Sequence, residues 1–302
     1  MTIMNLAITG LLLAASLSSV SQAKAAEEKT KLSVSATEVV PGLYMLQGVG
    51  GFVGGNMGLS VGADGVILID DSLAPNLDIV KAGIKTVTDK PIDYLINTHV
   101  HGDHIGNNES LGKQGAQIVA HDNLRIRQFK EAAAKNTSPA KSALPVITFS
   151  HSMHFYLNGN DAHIFHVEHA HTDGDAVIHF KQANVIHAGD VMFNSLFPYI
   201  DLSRGGSVDG YIAAQKKILS LTDNKTKIIP GHGPLASKQD LAEAVAMLED
   251  SKKLISDLIA KGKSEDEAVK LNPLAKYHDQ WNWGFITTEK MIRQVYKGIK
   301  QQ

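Results

Sequence analysis

Between residues 32 and 71 apolar and polar positions alternate in short runs, the period of half-buried strands. Residues 39–47 are apolar around a turn at Pro41-Gly42, and 57–61 and 66–70 flank Gly62-Ala63-Asp64-Gly65 as a hairpin. Five glycines fall within 48–55, which reads equally well as a plain connection or as a flap beside a site. The spacing predicts a helix over 77–87, then, past Pro91, a buried strand over 92–97. A strand at 117–121 leads into a helix over 122–135 with Asp122 as its cap. The polar stretch 135–145, with Pro139 and Pro145, reads as an insertion loop or inner boundary. Strands return at 153–157, 162–168, 176–180 and 185–187, and again at 227–230. Ser207 caps a helix running to Leu221, 239–261 is an amphipathic helix, and 265–271 and 288–299 are helical. Strands precede helix in each half, an α+β order that allows two similar halves packed sheet against sheet.

Residues 1–25 differ from the rest. An apolar run from Leu6 to Leu17 precedes Ala23-Lys24-Ala25, which predicts a secretory signal peptide cleaved near Ala25, although no Lys or Arg precedes the run. The mature chain is then periplasmic or secreted. Its plain alternative is an irregular or anchored N terminus. Residues 30–302 suffice for one domain, with the helices of 239–302 assigned to it; their pattern sets no oligomeric state.

The absence of cysteine rules out disulfides, lipidated cysteine and thiolate ligands. A net charge of −2 without a basic run argues against nucleic acid as a partner, and nothing after residue 25 is apolar enough to span a membrane. A small-molecule substrate remains.

The chemistry concentrates in His99-Val100-His101-Gly102-Asp103-His104. Three imidazoles and a carboxylate crowd together cheaply only when a cation holds them. His99 and His101, two apart on an extended segment, face one side and suit one ion; Asp103 and His104, beyond the turn at Gly102, suit a second. His171-Thr172-Asp173-Gly174-Asp175, Gly189-Asp190 and Gly231-His232-Gly233 each place another ligand type at a strand end beside glycine.

In that order these four motifs resemble the metallo-β-lactamase superfamily over about residues 39–234. The resemblance implies an αββα sandwich of four layers with a dinuclear metal site at one edge of its two sheets. By motif match His99, His101 and His171 would bind the first metal, Asp103, His104 and His232 the second, and Asp190 would bridge them. Two zinc ions per chain are expected, with iron as the alternative metal, because imidazole and carboxylate suit both. The expected reaction is hydrolysis by a metal-bridging hydroxide, with Asp103 as catalytic residue that orients it and carries a proton to the leaving group.

His169, two residues before His171, competes for its role, but the Thr-Asp-Gly-Asp that follows favours His171. His163, His179 and His187 read as packed or surface residues, and His151, His154 and His166 as rim residues at most. Asp173 and Asp175 read as turn residues that orient His171, and Asn194 and Tyr199 as substrate contacts or, equally well, as structural surface residues. Family β-lactamases usually carry Cys or Ser where this chain has Asp190, and one group has a Lys soon after, absent from 191–197. The chain thus resembles the glyoxalase II and lactonase side of the family. The expectation is a secreted zinc hydrolase of a lactone, ester, thioester or cyclic amide. The alternatives are a β-lactamase, a non-haem iron oxygenase and a metal-binding accessory protein without turnover.

Overall fold

Two sheets stand face to face in the computed structural model, which describes residues 31–301. The predicted signal peptide lies outside the described residues. The first sheet takes β1 (Ser33–Val40), β2 (Leu43–Val49), β3 (Met57–Gly62), β4 (Gly65–Ile69), β5 (Tyr94–Ile96), β6 (Gln117–His121) and β7 (Ile147–Phe149) in chain order. It is antiparallel through β4 and parallel from β4 to β7. The second sheet adds β8 (Ser152–Leu157), β9 (Asn160–His166), β10 (Ala176–Phe180), β11 (Val185–Phe193), β12 (Lys227–His232) and β13 (Ala236–Ser237), ordered β13-β12-β11-β10-β9-β8. Only β11 and β12 pair parallel there.

Alternation decides which layer each side chain joins. Ile67 and Ile69 point between the sheets with Ile96 and Val119, against Ile164, Ile178 and Ile229 of the second sheet. Val66 and Leu68, one register off, face outward onto α1 (Leu77–Lys85), whose Val80 and Ile84 cover them. On the far side Val177, Ile186 and Ile228 meet Ala214 and Ile218 of α5 (Val208–Ser220) and Leu241 of α6 (Lys238–Ala260). The fold is therefore an αββα sandwich, its central strands apolar on both faces. Each fully buried Ile or Leu contributes about 1.5–3 kcal/mol to holding the layers together.

The remaining helices are α2 (Gly102–Ile105), α3 (Asn108–Lys113), α4 (Asp122–Ala134), α7 (Glu265–Leu271), α8 (His278–Trp281) and α9 (Thr288–Lys300). Met247, Ile255, Trp281, Met291 and Val295 bury a further cluster against Phe197 and Tyr211, so the C-terminal helices pack onto α5 and α6. Among the described residues no helix is long and apolar enough to cross a membrane.

Two details differ from the sequence reading, one open alternative is decided, and β7, β13 and α8 were not in it. The cap of α4 is His121, whose extended backbone lets Nδ1 accept from Asn123 N at 3.2 Å; Asp122 is already helical. Residues 135–145, read as a loop or a boundary, are a loop: Asn108 Nδ2 donates to Ala143 O, and Leu144 is buried. β11 continues past His187 to Phe193, through register shifts around Gly189, where φ is +51°.

Candidate metal centre

The parallel strands deliver the site. β5 ends at Ile96, the chain bends through Thr98, His99 and Val100, with Val100 buried, and His101 is extended as the cap of α2, which begins at Gly102. Asp103 and His104 ride on that first turn. From the other sheet come Asp190 in irregular β11, His232 at the end of β12, and His171 in the turn before β10. Thr172 fixes that turn by donating N and Oγ1 to Asp175 at 2.7 and 2.6 Å.

All seven predicted residues meet at the sheet edge, in two groups. His99, His101, His171 and Asp190 form one, and Asp103, His104 and His232 the other; within each, one ligand atom per residue lies within 4.8 Å of the rest. Asp190 faces both. Its Oδ2 is 3.7 Å from His99 Nε2 and 3.4 Å from His171 Nε2, while its Oδ1 is 3.1 Å from His104 Nε2 and 3.4 Å from His232 Nε2.

His99 Nε2, His104 Nε2 and Asp190 Oδ1 are buried without a hydrogen-bond partner. Orphaned buried polar atoms are costly, and these three converge where one divalent cation would satisfy both nitrogen and oxygen lone pairs. Imidazole nitrogens and carboxylate oxygens are the donor set that divalent metals such as zinc accept. The residues fit a divalent metal centre.

Residues behind the groups fix which nitrogen faces inward. Asp70 Oδ2 is 2.8 Å from His104 Nδ1 and 2.7 Å from Thr98 Oγ1, and Asp70 Oδ1 accepts from Thr98 N. Asp201 Oδ2 takes His101 Nε2 at 2.9 Å, leaving His101 Nδ1 to face His171 Nε2 at 2.8 Å. His171 Nδ1 donates to Tyr199 O at 2.7 Å. Such partners set ring orientation and tautomer. Sequence reading missed Asp70 and Asp201, though a carboxylate closing the apolar run 66–69 was a signal for the former.

Electrostatics separate the groups. Burial pulls His171 down to about 4 and His99 well below the usual imidazole value, so both present neutral nitrogen. Burial also pushes His104 and His232 down, but Asp190 and Asp103, with Asp70 beside His104, outweigh it; His104 is held well above its usual value and His232 at about 9. Burial would raise Asp190, yet His104, His232 and His99 hold it well below the usual carboxylate range. The carboxylates thus give the second group a negative field that favours a bound cation, and a metal there would take the place of the ring protons that face Asp190 and Asp103.

Glycines let backbone approach. A Cβ on Gly55 would stand 2.2 Å from His104 Cε1, and one on Gly231 2.0 Å from Asp190 Oδ1. Only part of 48–55 projects as a flap: Gly55 N bonds Asp103 O, and Val53 O accepts from Ser72 Oγ and Asn76 Nδ2, leaving Phe52 exposed against the His232 ring.

The other candidates fall elsewhere. His169 takes positive φ and turns Nδ1 to Gly205 O, outside both groups. Asp173 pairs with Arg127 at 2.6 Å rather than orienting His171. Asn194 is buried and donates to Pro234 O, a fold contact. His151 and His166 line a separate cavity of about 600 Å³, and His154 pairs with Asp161. His187 is packed beneath the site, as expected, while His163 and His179 sit half-buried across from each other on β9 and β10. Tyr199 does line the cavity above the centre, which measures about 850 Å³ and is otherwise walled by Phe52, Leu73, Phe193, Arg204, Trp283 and Phe285.

A sequence model of the metallo-beta-lactamase superfamily matches residues 50–232. A beta-lactamase-like protein 2 homolog of Caenorhabditis elegans is 23% identical over 69% of this chain and 64% of its own length. A probable metallo-hydrolase of Bacillus subtilis is 27% identical over 46% of this chain and 68% of its own. Among solved structures, a stereoselective inverting sec-alkylsulfatase from Pseudomonas sp. superposes with a TM-score of 0.65 at 16% identity, covering 87% of this chain and 50% of that one. The mono-zinc metallo-beta-lactamase FIM-1 of Pseudomonas aeruginosa superposes at 0.58 with 22% identity, covering 72% and 95%. The chain thus spans under two thirds of the length of the first relative and half that of the alkylsulfatase.

Proposed function

The chain belongs to the metallo-beta-lactamase superfamily, and from that premise we propose that it is a zinc hydrolase of a lactone, ester, thioester or cyclic amide. The observation that carries the reading is Asp190, whose two carboxylate oxygens each face a different histidine group. His99, His101 and His171 would hold one zinc and Asp103, His104 and His232 the other, with Asp190 shared. Bound there, zinc supplies Lewis acidity and makes water a competent nucleophile near neutral pH.

The chain's own residues supply the rest. Asp201, Asp70 and the Tyr199 carbonyl keep the inward nitrogens of His101, His104 and His171 aimed at the centre. Asp103 lines the cavity as well as the second group. Burial raises its pKa, but His104 and His232 outweigh that and hold it below the usual carboxylate value. An anionic Asp103 orients the attacking water, accepts its proton and passes it to the leaving oxygen, sulfur or nitrogen. Water oxygen bonds to the acyl carbon, the bond to the leaving atom breaks with its electron pair, and an acid is released.

The test is acid release in weak buffer by the zinc-loaded full-length mature protein, offered a β-lactam, an acyl lactone, a glutathione thioester and a secondary alkyl sulfate. The last is included because the alkylsulfatase shares the fold. Turnover of lactone or thioester that chelator abolishes and zinc restores is the expected result. Preference for the β-lactam would make this a β-lactamase, and silence on all four would overturn the hydrolase reading. Iron as the bound metal after expression would favour the oxygenase alternative. Export, supported by residues 6–25 alone, is tested by sequencing the mature N terminus, expected at Ala26.

A further inference from the structure

The cavity over the metal centre has a wall from outside the segment matched by the family model. Residues 50–232 contribute Phe52, Leu73, Phe193 and Tyr199, but Trp283 and Phe285 come from the turn between α8 and α9. That turn is anchored. Trp283 Nε1 donates to Phe197 O at 2.9 Å, Phe197 N donates to Trp281 O at 2.7 Å, and Thr288 N donates to Asn282 Oδ1 at 2.9 Å. The wall is continuous: Phe193 lies 6.0 Å from Trp283, Trp283 5.6 Å from Phe285, and Phe285 5.5 Å from Tyr199. Trp283 also lies 6.1 Å from the His232 ring and Phe52 6.0 Å from it, so aromatic surface flanks the second histidine group.

Arg204 is the one arginine or lysine among the lining residues, and it is already engaged, as is His232 between Asp103 and Asp190. Arg204 Nη1 donates to Asp201 Oδ2 at 2.8 Å and its Nε to Glu131 Oε1 at 2.8 Å, which leaves no uncompensated protein cation among the lining residues to receive a carboxylate. Lys290 stands behind the wall, donating to Phe285 O at 2.8 Å. Phe52 is 59% exposed and Phe285 51%, far more than buried aromatics normally show, so a ligand has apolar surface left to cover. A cavity of about 850 Å³ accepts a group of drug-like size.

We infer that the site takes substrates whose group beside the cleaved bond is a bulky, uncharged alkyl or aryl moiety, held against Trp283 and Phe285. The inference rests on the hydrolase reading for the cleaved bond but not for the binding of the apolar group. Burying such a group on aromatic faces removes apolar surface from water, so affinity rises with chain length until the cavity is full.

Two measurements on the zinc-loaded full-length mature protein test this. The first is binding of N-phenyl-1-naphthylamine, an uncharged apolar fluorophore, followed by its emission; the second is hydrolysis of p-nitrophenyl acetate and p-nitrophenyl octanoate. The fluorophore is expected to bind, and Phe285→Ala and Trp283→Ala to weaken it about tenfold. The octanoate-to-acetate ratio of kcat/KM is expected to favour octanoate and to fall about tenfold in the same variants, mainly through KM. Phe285 is half exposed, so its variant keeps the test open should Trp283→Ala fail to fold. Fluorophore binding lost in the variants, with neither ester turned over and the four substrates named above also inert, would uphold the apolar site while removing the hydrolase reading. Ester turnover with no octanoate preference and no fluorophore binding would overturn the inference and leave that reading standing.

Discussion

Asp70 Oδ2 lies 2.8 Å from His104 Nδ1, and solvent reaches neither side chain. The carboxylate receives the outer ring proton and leaves Nε2 to face Asp190 and Asp103. Asp70 holds φ at +60°, a conformation that asparagine also tolerates. Asp70→Asn should therefore fold normally but weaken the partner that orients His104. Metal affinity of the Asp103, His104 and His232 group should drop about 10–100-fold, measured by competition with a chelating dye. Wild-type affinity would show that Asp70 serves the fold alone.

Asp103 contributes to a metal group and to the cavity wall, so its two roles can be separated. Asp103→Asn keeps the shape and one potential ligand oxygen but cannot take a proton. The variant should keep its melting temperature and most of its metal while kcat falls about 10²–10⁴-fold. Unchanged turnover would remove the proton-carrying role.

His171 and His169 are separated by one residue, yet the turn sends them apart. His171 is fully buried, with Nδ1 on Tyr199 O and Nε2 on His101, whereas His169 is bonded to Gly205 O. His171→Ala should lower the metal bound per chain, read by elemental analysis after dialysis, and His169→Ala should leave it unchanged. The reverse result would move the site to the other histidine.

What the sequence makes legible follows from how local the cause is. The period-two runs and the glycine beside each ligand are local, and they foretold most strands and the candidate ligand types, whereas β7 and β13 went unread and the grouping of the seven residues came from the family resemblance. The long helix was foretold to within a residue from its amphipathic pattern, and the structure adds the capping box that Ser237 and Asp240 form at its start. By contrast, Asp70 and Asp201 act on rings 34 and 100 residues away, separations that no spacing rule covers. Asp122 is the better cap by propensity, yet His121 took the role because β6 delivers it in an extended conformation. β11 was cut short because Gly189 interrupts its apolar run, although the backbone continues beside β12. The aromatic wall from Trp283 and Phe285 was invisible for a similar reason: the fold, not the sequence interval, brings α8 and α9 to the rim.

His187 offers a prediction about stability and pH. It is fully buried beneath the site, and its Nδ1 accepts from Gly189 N at 3.3 Å. Burial pulls its pKa down to about 4, against weaker opposition from Asp70 and Asp190. An unfolded histidine titrates near about 6.5. As pH falls below that value the unfolded chain gains a proton that folded His187 refuses, so unfolding becomes easier by roughly 1.4 kcal/mol per pH unit until about pH 4. Above the unfolded value the effect vanishes. His187→Gln keeps a neutral acceptor for Gly189 N and does not titrate. Urea unfolding with chelator present should therefore show a shallower loss of stability between pH 6.5 and 5 in the variant than in the parent. Other titrating groups are common to both proteins and cancel in that difference, as does any fixed cost of the substitution. Equal slopes would mean that His187 accepts its proton in the folded state. A metal cation nearby would push the pKa lower still, so the sign is the same in the loaded protein.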